Sequence, residues 1–274
     1  MNPVATLILN RNLPKVTDKL YDHIKKYDGS LTDIYVIEAG SDDNLLSKYT
    51  SWHAKSPDII KLGLRYSRGM NYGLVKLLEE GLFQKYNAFF LLTNDTELEP
   101  KKNVITLLNI MNEHKRLGIL SPCSKHWGER FLLQHQPIKY FWFIHNNAYF
   151  LRREFIESVA NFDKPNNINF LFDGENFRGY GSEHELIAKA YINDWAAAIT
   201  NEVWTNENEK YLLENASQIK TESYEENLAL YVSEGKAWMK QKYGFNSHWS
   251  MQQYVKLFYD KFFEFHPEFE QYKI

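Results

Sequence analysis

The stretch FFLLTNDTELEP, residues 89–100, places an acidic turn directly after a run of apolar residues. The apolar part is short, β-favouring and bounded by turn residues, which is typical of a strand buried inside a parallel sheet. The turn begins with Asn94 and Asp95 and ends before Pro100. We therefore predict a buried strand that carries one carboxylate at its carboxyl end.

The rest of the first half alternates in the same way between short β-rich runs and segments of helical period. This alternation predicts an α/β fold with a mostly parallel sheet flanked by helices. The predicted strands are residues 4–9, 33–39, 59–64, 88–93 and 118–121. The predicted helices are residues 16–27, 70–82 and 101–115, with Pro100 in the first turn of the third helix.

Beyond about residue 122 the alternation becomes less regular. The segment 139–155 indicates extended structure followed by a short helix, and AAAITNEVW, residues 196–204, indicates another strand. Ser182 with Glu185 has the spacing of a capping box at a helix start. From about residue 206 the sequence is helical. We therefore predict a first domain of residues 1–205 and a C-terminal helical extension, residues 206–274, packed on it.

Composition limits the class of function. The chain has 274 residues and a formal charge of −3, which provides no basic field for a nucleic-acid backbone. Its single cysteine, Cys123, excludes an internal disulfide and a cysteine-rich zinc site, and fits the reducing cytoplasm. No run of about 18 apolar residues predicts a membrane helix.

Polar residues follow the first, second and fourth predicted strands. Asn10 and Arg11 follow the first, Glu38 ends the second, and Asn94 and Asp95 follow the fourth. Ligands of open α/β sheets bind beyond the carboxyl ends of the strands, so we expect these residues at one binding edge.

Two carboxylates at this edge have a chemistry suited to a ligand. Asp95 is a hard oxygen ligand that Mn²⁺ or Mg²⁺ could share with a diphosphate. Glu38 could accept hydrogen bonds from a ribose or a base N–H. The alternative for Asp95 is a plain turn, since Asn, Asp and Thr favour turns.

The segment SRGMNYG, residues 67–73, offers Arg68 for a phosphate and Asn71 for a ligand or a loop backbone. A glycine-containing helix start is common, so this segment is a weak indication alone.

The segment GYGSEHEL, residues 179–186, predicts a helix start that presents Glu183 and His184 to solvent or to a cleft. Either side chain could remove a proton from an attacking hydroxyl, and the sequence leaves the choice between them open. The alternative is that Glu183 only complements the helix dipole.

Four further residues are candidate contacts of a sugar or an acceptor. They are Trp142, His145, Asn147 and Tyr180. Aromatic residues stack on sugar rings, although at this density they are more often part of the core, and His145 and Asn147 could instead satisfy a strand edge. The histidines lack metal-binding spacing, which predicts no dedicated zinc site.

The order of these motifs resembles that of the inverting glycosyltransferases of family 2. The matching segments are LILNRN, VIEAGSDD, MNYG, LLTNDTEL and GYGSEHELIAKAYINDW, and they span about the first 205 residues. Two positions depart from the family pattern. The family usually has Glu-Asp where this chain has Glu183 and His184, and a histidine that often follows the last strand is absent from EVWTNENE.

The resemblance implies the GT-A fold, with Asn10, Arg11 and Glu38 holding the nucleotide and Asp95 holding Mn²⁺ or Mg²⁺. Arg68, Asn71 and Asn94 are further candidates for nucleotide contact. It also implies transfer of a sugar, with inversion, from a nucleotide-diphosphate donor, most often a UDP-sugar, to a glycan or a lipid-linked acceptor. A non-catalytic nucleotide-sugar or glycan-binding protein of the same fold is the alternative.

The aromatic C-terminal helices, which include YVKLFYDKFFEF, have two interpretations. They could dock on a membrane surface, or they could pack within the protein or between subunits of a homodimer. The mixed charges of this segment favour packing, because membrane-surface helices are usually rich in Lys and Arg.

Overall fold

The computed structural model of the protein describes residues 3–128, 130–133, 136–145, 147–219 and 222–274, with residue 209 described by its backbone only. These residues form one large mixed sheet with helices on both sides. The strands are β1 Val4–Asn10, β2 Thr32–Ala39, β3 Thr50–Ala54, β4 Ala88–Thr93, β5 Thr96–Leu98, β6 Leu117–Ser124, β7 Ile138–Tyr140, β8 Ala148–Arg152 and β9 Ala196–Glu207.

Ten α-helices occur in the described residues, and most connect consecutive strands. They are α1 Pro14–Asp28, α2 Pro57–Leu62, α3 Arg65–Glu79, α4 Asn103–Glu113, α5 Arg130–Leu133, α6 Arg153–Val159, α7 Ser182–Ile192, α8 Glu209–Glu214, α9 Tyr224–Tyr243 and α10 His248–Phe265.

The sheet has the strand order β3-β2-β1-β4-β8-β6-β9-β5, with β7 paired to β9. Strands β1, β2, β3 and β4 are parallel to one another, and β6 is parallel to β9. Strand β8 is antiparallel to both β4 and β6, and β5 and β7 are antiparallel to β9. The parallel sheet predicted from the sequence therefore describes the first half of the chain, and the second half makes the sheet mixed.

One predicted strand is wrong. Residues 59–64 lie largely in helix α2, because Ser56 caps its first turn by accepting a hydrogen bond from the Ile59 N–H and Pro57 occupies the first helical position. The edge strand that follows β2 is instead β3, whose TSWHA sequence has no apolar run. The predicted strands at 4–9, 33–39, 88–93 and 118–121 are confirmed within a few residues.

Two predicted helix starts are also corrected. Helix α4 begins at Asn103, so Pro100 lies before it, and the buried Asp28 carboxylate accepts hydrogen bonds from the Asn103 and Val104 N–H groups. Ser182 is the first residue of α7 and does not cap it. The capping position belongs to Gly181, whose φ of 81° is a left-handed conformation that favours glycine.

The core is continuous from the sheet to the last helix. The buried cluster that contains β1 and β4 also contains Val255, Tyr259, Phe262 and Phe263 of α10. The Tyr259 hydroxyl donates to the Tyr140 carbonyl oxygen at 3.2 Å. Within the described residues, no helix is both long enough and apolar enough to cross a membrane.

Candidate active site

The carboxyl ends of β1, β2 and β4 are joined by a chain of side-chain hydrogen bonds. Asn10 and Glu38 are register partners in the parallel β1–β2 pair, and Asn10 Nδ2 donates to Glu38 Oε2 at 2.8 Å. From β4, Asn94 Nδ2 donates to Asn10 Oδ1 at 2.9 Å. The sequence-based expectation that these residues meet at one edge is therefore confirmed.

The Glu38 side chain is buried at this edge and bonds to other residues of the protein. Its residue is 0% exposed, and its carboxylate accepts hydrogen bonds from Asn10, Ser41, Ser47 and Thr50. These donors occupy the lone pairs that a ribose or base would use. In this arrangement Glu38 positions the strand ends and does not itself face a ligand.

A cavity of about 220 Å³ opens beside this network. It combines polar residues from the strand ends with residues from two later segments. Its lining is Leu9, Asn10, Arg11, Leu13, Ala39, Arg65, Tyr66, Thr93, Asn94, Asp95, Leu212 and Ile219. We call this cavity the rim pocket.

The cationic side of the rim pocket comes from Arg11 and Arg65. The Arg11 guanidinium donates to the backbone oxygens of Ile60 and Lys61 at 3.1 and 3.0 Å, which fixes its position. Burial, followed by the nearby Arg65 charge, lowers the pKa of Arg11. Arg65 Nη2 donates to Glu222 Oε2 at 3.1 Å, so part of the positive charge at this wall is already balanced within the protein.

The acidic side of the rim pocket is Asp95, which is 7% exposed. The turn that carries it is held by backbone pairing, since the Asn208 N–H donates to the Asp95 carbonyl oxygen at 2.9 Å and β5 pairs with the end of β9. Asp95, Arg11 and Arg65 therefore line one small pocket.

Arg68 and Asn71 hold a loop in this structure. Asn71 is fully buried, and it donates to the Phe172 carbonyl oxygen and accepts from the Leu171 and Phe172 N–H groups. Arg68 Nε donates to the Gly174 carbonyl oxygen at 2.6 Å. The lining of the rim pocket includes neither residue, whereas it includes Arg65, one turn before Arg68.

Glu183 and His184 lie in the first turn of α7 and differ in accessibility. The Glu183 side chain is 14% exposed, whereas the His184 side chain is 0% exposed. The expectation that both face solvent or a cleft is therefore wrong for His184. Of the two side chains, only that of Glu183 is accessible to solvent.

A histidine from the C-terminal part of the chain completes this group. His184 Nδ1 lies 3.1 Å from Glu183 Oε1 and 3.3 Å from His248 Nε2. Burial disfavours the ionised form of Glu183, but its hydrogen bond and electrostatic interaction with His184 outweigh burial and lower the pKa of Glu183. Glu183 is thus held as a carboxylate.

Tyr66 belongs to the rim pocket, and the charge of Glu183 acts on it. Its ring lines the rim pocket, and its buried hydroxyl has no hydrogen-bond partner among the described residues. Burial, followed by the negative charge of Glu183, raises the pKa of Tyr66.

Two of the predicted sugar contacts border the Glu183 group. Tyr180 packs on His248, with ring centroids 4.6 Å apart, and burial with the Glu183 charge raises its pKa. His145 packs on Trp127, and burial lowers its pKa to about 4.

The other two predicted contacts have partners in the fold. Trp142 packs against Tyr259 and Lys256 of α10, so its ring supports the C-terminal helix. Asn147 receives hydrogen bonds at its carbonyl oxygen from Thr93 and Thr96, and its buried Nδ2 has no partner among the described residues.

Several residues of the site escaped the sequence analysis, among them Arg65, Tyr66, Leu212, Ile219 and His248. They reach the site only through the tertiary fold, and no motif marks them. Only Arg65 and Tyr66 could have been suspected from the sequence, because they immediately precede the SRGMNYG segment.

The fold can be compared with those of known proteins. No protein-family model matches the sequence, and no curated protein shows significant similarity to it. Among solved structures, the chain is similar to the mannosyltransferase PcManGT from Pyrobaculum calidifontis in complex with GDP-Man and Mn²⁺. The TM-score is 0.51 and the identity 9%, over 94% of this chain and 86% of that one.

The chain is also similar to TarS 1-349 from S. aureus in complex with UDP-GlcNAc. Here the TM-score is 0.54 and the identity 11%, over 97% of this chain and 73% of that one. The similarity therefore extends over most of the chain in both cases. The chain has the GT-A fold of the nucleotide-sugar glycosyltransferases, as its resemblance to family 2 implied.

Proposed function

We propose that the protein is an inverting glycosyltransferase. It would transfer a sugar from a nucleotide-diphosphate donor to a hydroxyl of a glycan or lipid-linked acceptor by direct displacement. The similar structures carry UDP-GlcNAc and GDP-Man, so both uridine and guanosine donors are in scope, with a UDP-sugar as the first choice.

The rim pocket is the observation that supports this proposal. It brings Asp95, Arg11 and Arg65 together at the carboxyl ends of β1 and β4, where ligands of such sheets bind. Asp95 would bind the donor diphosphate through a cation, and the two guanidinium groups would contact its oxygens directly. Asn10, which donates to Glu38, and Asn94, which donates to Asn10, would orient the nucleotide.

The donor chemistry of the rim pocket fits a hard divalent cation. Asp95 supplies a carboxylate, and one or two carboxylates with phosphate oxygens and water are sufficient for Mg²⁺ or Mn²⁺. When bound there, such a cation would neutralise charge on the leaving diphosphate. The similar PcManGT structure contains Mn²⁺.

On the acceptor side, Glu183 would act as the general base. The acceptor oxygen forms a bond to the anomeric carbon as its proton passes to Glu183, and the bond from that carbon to the diphosphate breaks. The electron pair leaves with the nucleoside diphosphate, and Arg11 and Arg65 stabilise its negative charge. His184, which is buried against Glu183, would position the carboxylate.

The test is release of nucleoside diphosphate from a panel of UDP- and GDP-sugars with Mn²⁺ or Mg²⁺. We expect slow donor hydrolysis by the wild type, and faster release once an acceptor is present. Asp95→Asn and Glu183→Gln should each lower turnover at least about 100-fold, since each removes a group that acts in the transition state.

Asp163→Asn is the matched control, because Asp163 is an exposed residue of the loop after α6, is not part of the rim-pocket lining and should leave turnover unchanged. Circular dichroism would confirm that every variant is folded. Donor binding without any release of nucleoside diphosphate would contradict the proposal and favour the non-catalytic binding protein. Full turnover by Asp95→Asn would remove Asp95 from the mechanism.

A further inference from the structure

Three potential metal-ligand atoms converge beside α7. They are Glu183 Oε1, His184 Nδ1 and His248 Nε2, and all lie within 4.8 Å of one another. His248 is separated from His184 by 64 residues in the sequence, so no spacing rule could detect the group. We call it the Glu-His-His group.

The two contacts of His184 Nδ1, with Glu183 and with His248, share at most one proton, because an imidazole nitrogen carries a single hydrogen. The ionised Glu183 carboxylate only accepts, so His184 Nδ1 must carry its proton toward Glu183 at 3.1 Å. The same nitrogen then faces His248 Nε2 at 3.3 Å as a donor whose single proton is already used. In the opposite tautomer, the lone pair of His184 Nδ1 faces the carboxylate oxygen and is repelled by it. A cation between the three atoms satisfies all of their lone pairs at once.

The spacing also suits a transition metal. Zinc binds imidazole nitrogen and carboxylate oxygen at about 2.0–2.2 Å, which places the ligand atoms of a tetrahedral site about 3.3–3.6 Å apart. The distance of 3.3 Å lies in this range, the distance of 3.1 Å is slightly shorter, and all three atoms lie within 4.8 Å of one another. Three protein ligands leave one position for water or substrate, and the partly exposed Glu183 puts that position on the accessible side.

We propose that Glu183, His184 and His248 bind one divalent transition-metal cation of the Zn²⁺ class, and that this binding inhibits sugar transfer. The inhibitory part rests on the proposed function, because the cation would occupy the lone pair with which Glu183 accepts the acceptor proton. The binding part is independent of it.

The ligand chemistry separates this site from the rim pocket. Imidazole ligands select Zn²⁺, Co²⁺ and Ni²⁺, whereas a carboxylate with phosphate oxygens selects Mg²⁺ and Mn²⁺. The two sites should therefore differ in cation preference. Zn²⁺ should inhibit in the presence of excess Mg²⁺, and excess Mg²⁺ should not reverse the inhibition.

The binding test uses the full-length protein after treatment with a chelator. Titration with Co²⁺ should produce a visible absorption band that saturates at one equivalent and disappears when Zn²⁺ is added. Isothermal titration calorimetry would then measure Zn²⁺ affinity directly. His248→Gln should weaken it at least about 10-fold, since even the loss of an outer-shell partner costs 10–100-fold.

Two controls make this result specific. His126→Gln removes an exposed histidine outside the group, and Asp95→Asn removes the oxygen ligand of the rim pocket. Both should bind Zn²⁺ as the wild type does. Equal affinity of wild type and His248→Gln, or loss of binding in Asp95→Asn, would overturn the proposed site. His248 is only partly buried, and a thermal melt would verify that its variant folds.

The activity test then examines the consequence. Wild-type transfer with Mg²⁺ should fall at least about 10-fold at the Zn²⁺ concentration that saturates the calorimetric site. Stimulation or no effect at saturation would overturn the inhibitory role. If no donor gives turnover under any condition, the proposed function fails, while the Co²⁺ and Zn²⁺ titrations still decide whether the site exists.

Discussion

At the scale of single residues, the buried Glu38 carboxylate connects the strand ends that border the rim pocket. Its two carboxylate oxygens each accept two hydrogen bonds, from Asn10 and Ser41 at one oxygen and from Ser47 and Thr50 at the other. Glu38→Gln replaces one oxygen with an NH₂ group that faces donors. We expect a loss of about 2–4 kcal/mol in the free energy of unfolding, measured by urea denaturation.

The control for Glu38→Gln is Glu113→Gln, because Glu113 is exposed at the end of α4. It should change stability by no more than about 0.5 kcal/mol. Equal effects of the two substitutions would show that the buried hydrogen bonds of Glu38 do not support the strand ends.

His145 provides a prediction about pH. Burial lowers its pKa from 6.5 to about 4, so between these values the unfolded chain binds a proton that the folded chain does not. The free energy of unfolding therefore falls as the pH is lowered through this window, by at most about 1.4 kcal/mol per pH unit for one group. His145→Phe keeps a ring against Trp127 and removes the titration.

The measurement for His145 is the urea midpoint of wild type and His145→Phe between pH 7.5 and pH 4.5. The stability advantage of the wild type over the variant should shrink or reverse as the pH falls, because only the wild type has the buried imidazole that protonation destabilises. Parallel pH profiles would contradict the prediction. His126→Gln, at an exposed histidine, should follow the wild type.

The positions of the polar residues at the strand ends could be predicted from the sequence, because they depend on where each strand stops along the chain. Asn10 ends β1, and Asn94 and Asp95 follow β4, so their shared edge followed from the parallel sheet alone. The orientation of Glu38 could not be predicted, since it depends on donors from Ser47 and Thr50 in a connection without a motif.

At the scale of secondary-structure elements, apolar pattern was reliable for central strands and failed at the sheet edge. Strand β4 has the predicted bounds, because it is buried on both faces and reads as one apolar run. Strand β3 pairs with one neighbour only, and its half-exposed sequence gives no comparable run. The apolar residues of 59–64 belong to helix α2 instead.

Helix α9 meets the segment before α7 at a glycine. A Cβ built on Gly235 would lie 2.4 Å from the Tyr180 Cβ and 2.8 Å from the Tyr180 carbonyl oxygen. Gly235→Ala should therefore destabilise the protein by about 1–3 kcal/mol, against the gain of about 1 kcal/mol that alanine usually gives within a helix. Because Tyr180 leads into α7, the shift should also displace Glu183 and lower turnover.

Ser233→Ala is the matched control for Gly235→Ala. Ser233 is an exposed residue of the same helix, and its replacement should leave both stability and turnover near wild type. Thermal melts and donor hydrolysis would be measured on both variants. A stabilised Gly235→Ala protein would show that α9 does not pack closely against the segment containing Tyr180.

At the scale of the whole molecule, the residues beyond 205 are tied to the site and to the core. Leu212 and Ile219 line the rim pocket, His248 contacts His184, and α10 shares the buried cluster of the sheet. The sequence predicted that these residues pack on the first domain, and it could not indicate which of them reach the pocket. We propose that the whole chain unfolds as one cooperative unit.

Phe262→Ala tests this cooperativity. Phe262 is 3% exposed and packs on Tyr140 and Tyr191, so its truncation should cost about 3–5 kcal/mol. In hydrogen exchange measured by mass spectrometry, the amides of β1 and of α10 should lose protection by the same free energy. Leu257→Ala, on the exposed face of the same helix, should leave both unchanged. Protection lost in α10 but retained in β1 would instead identify the C-terminal residues as a separately unfolding unit.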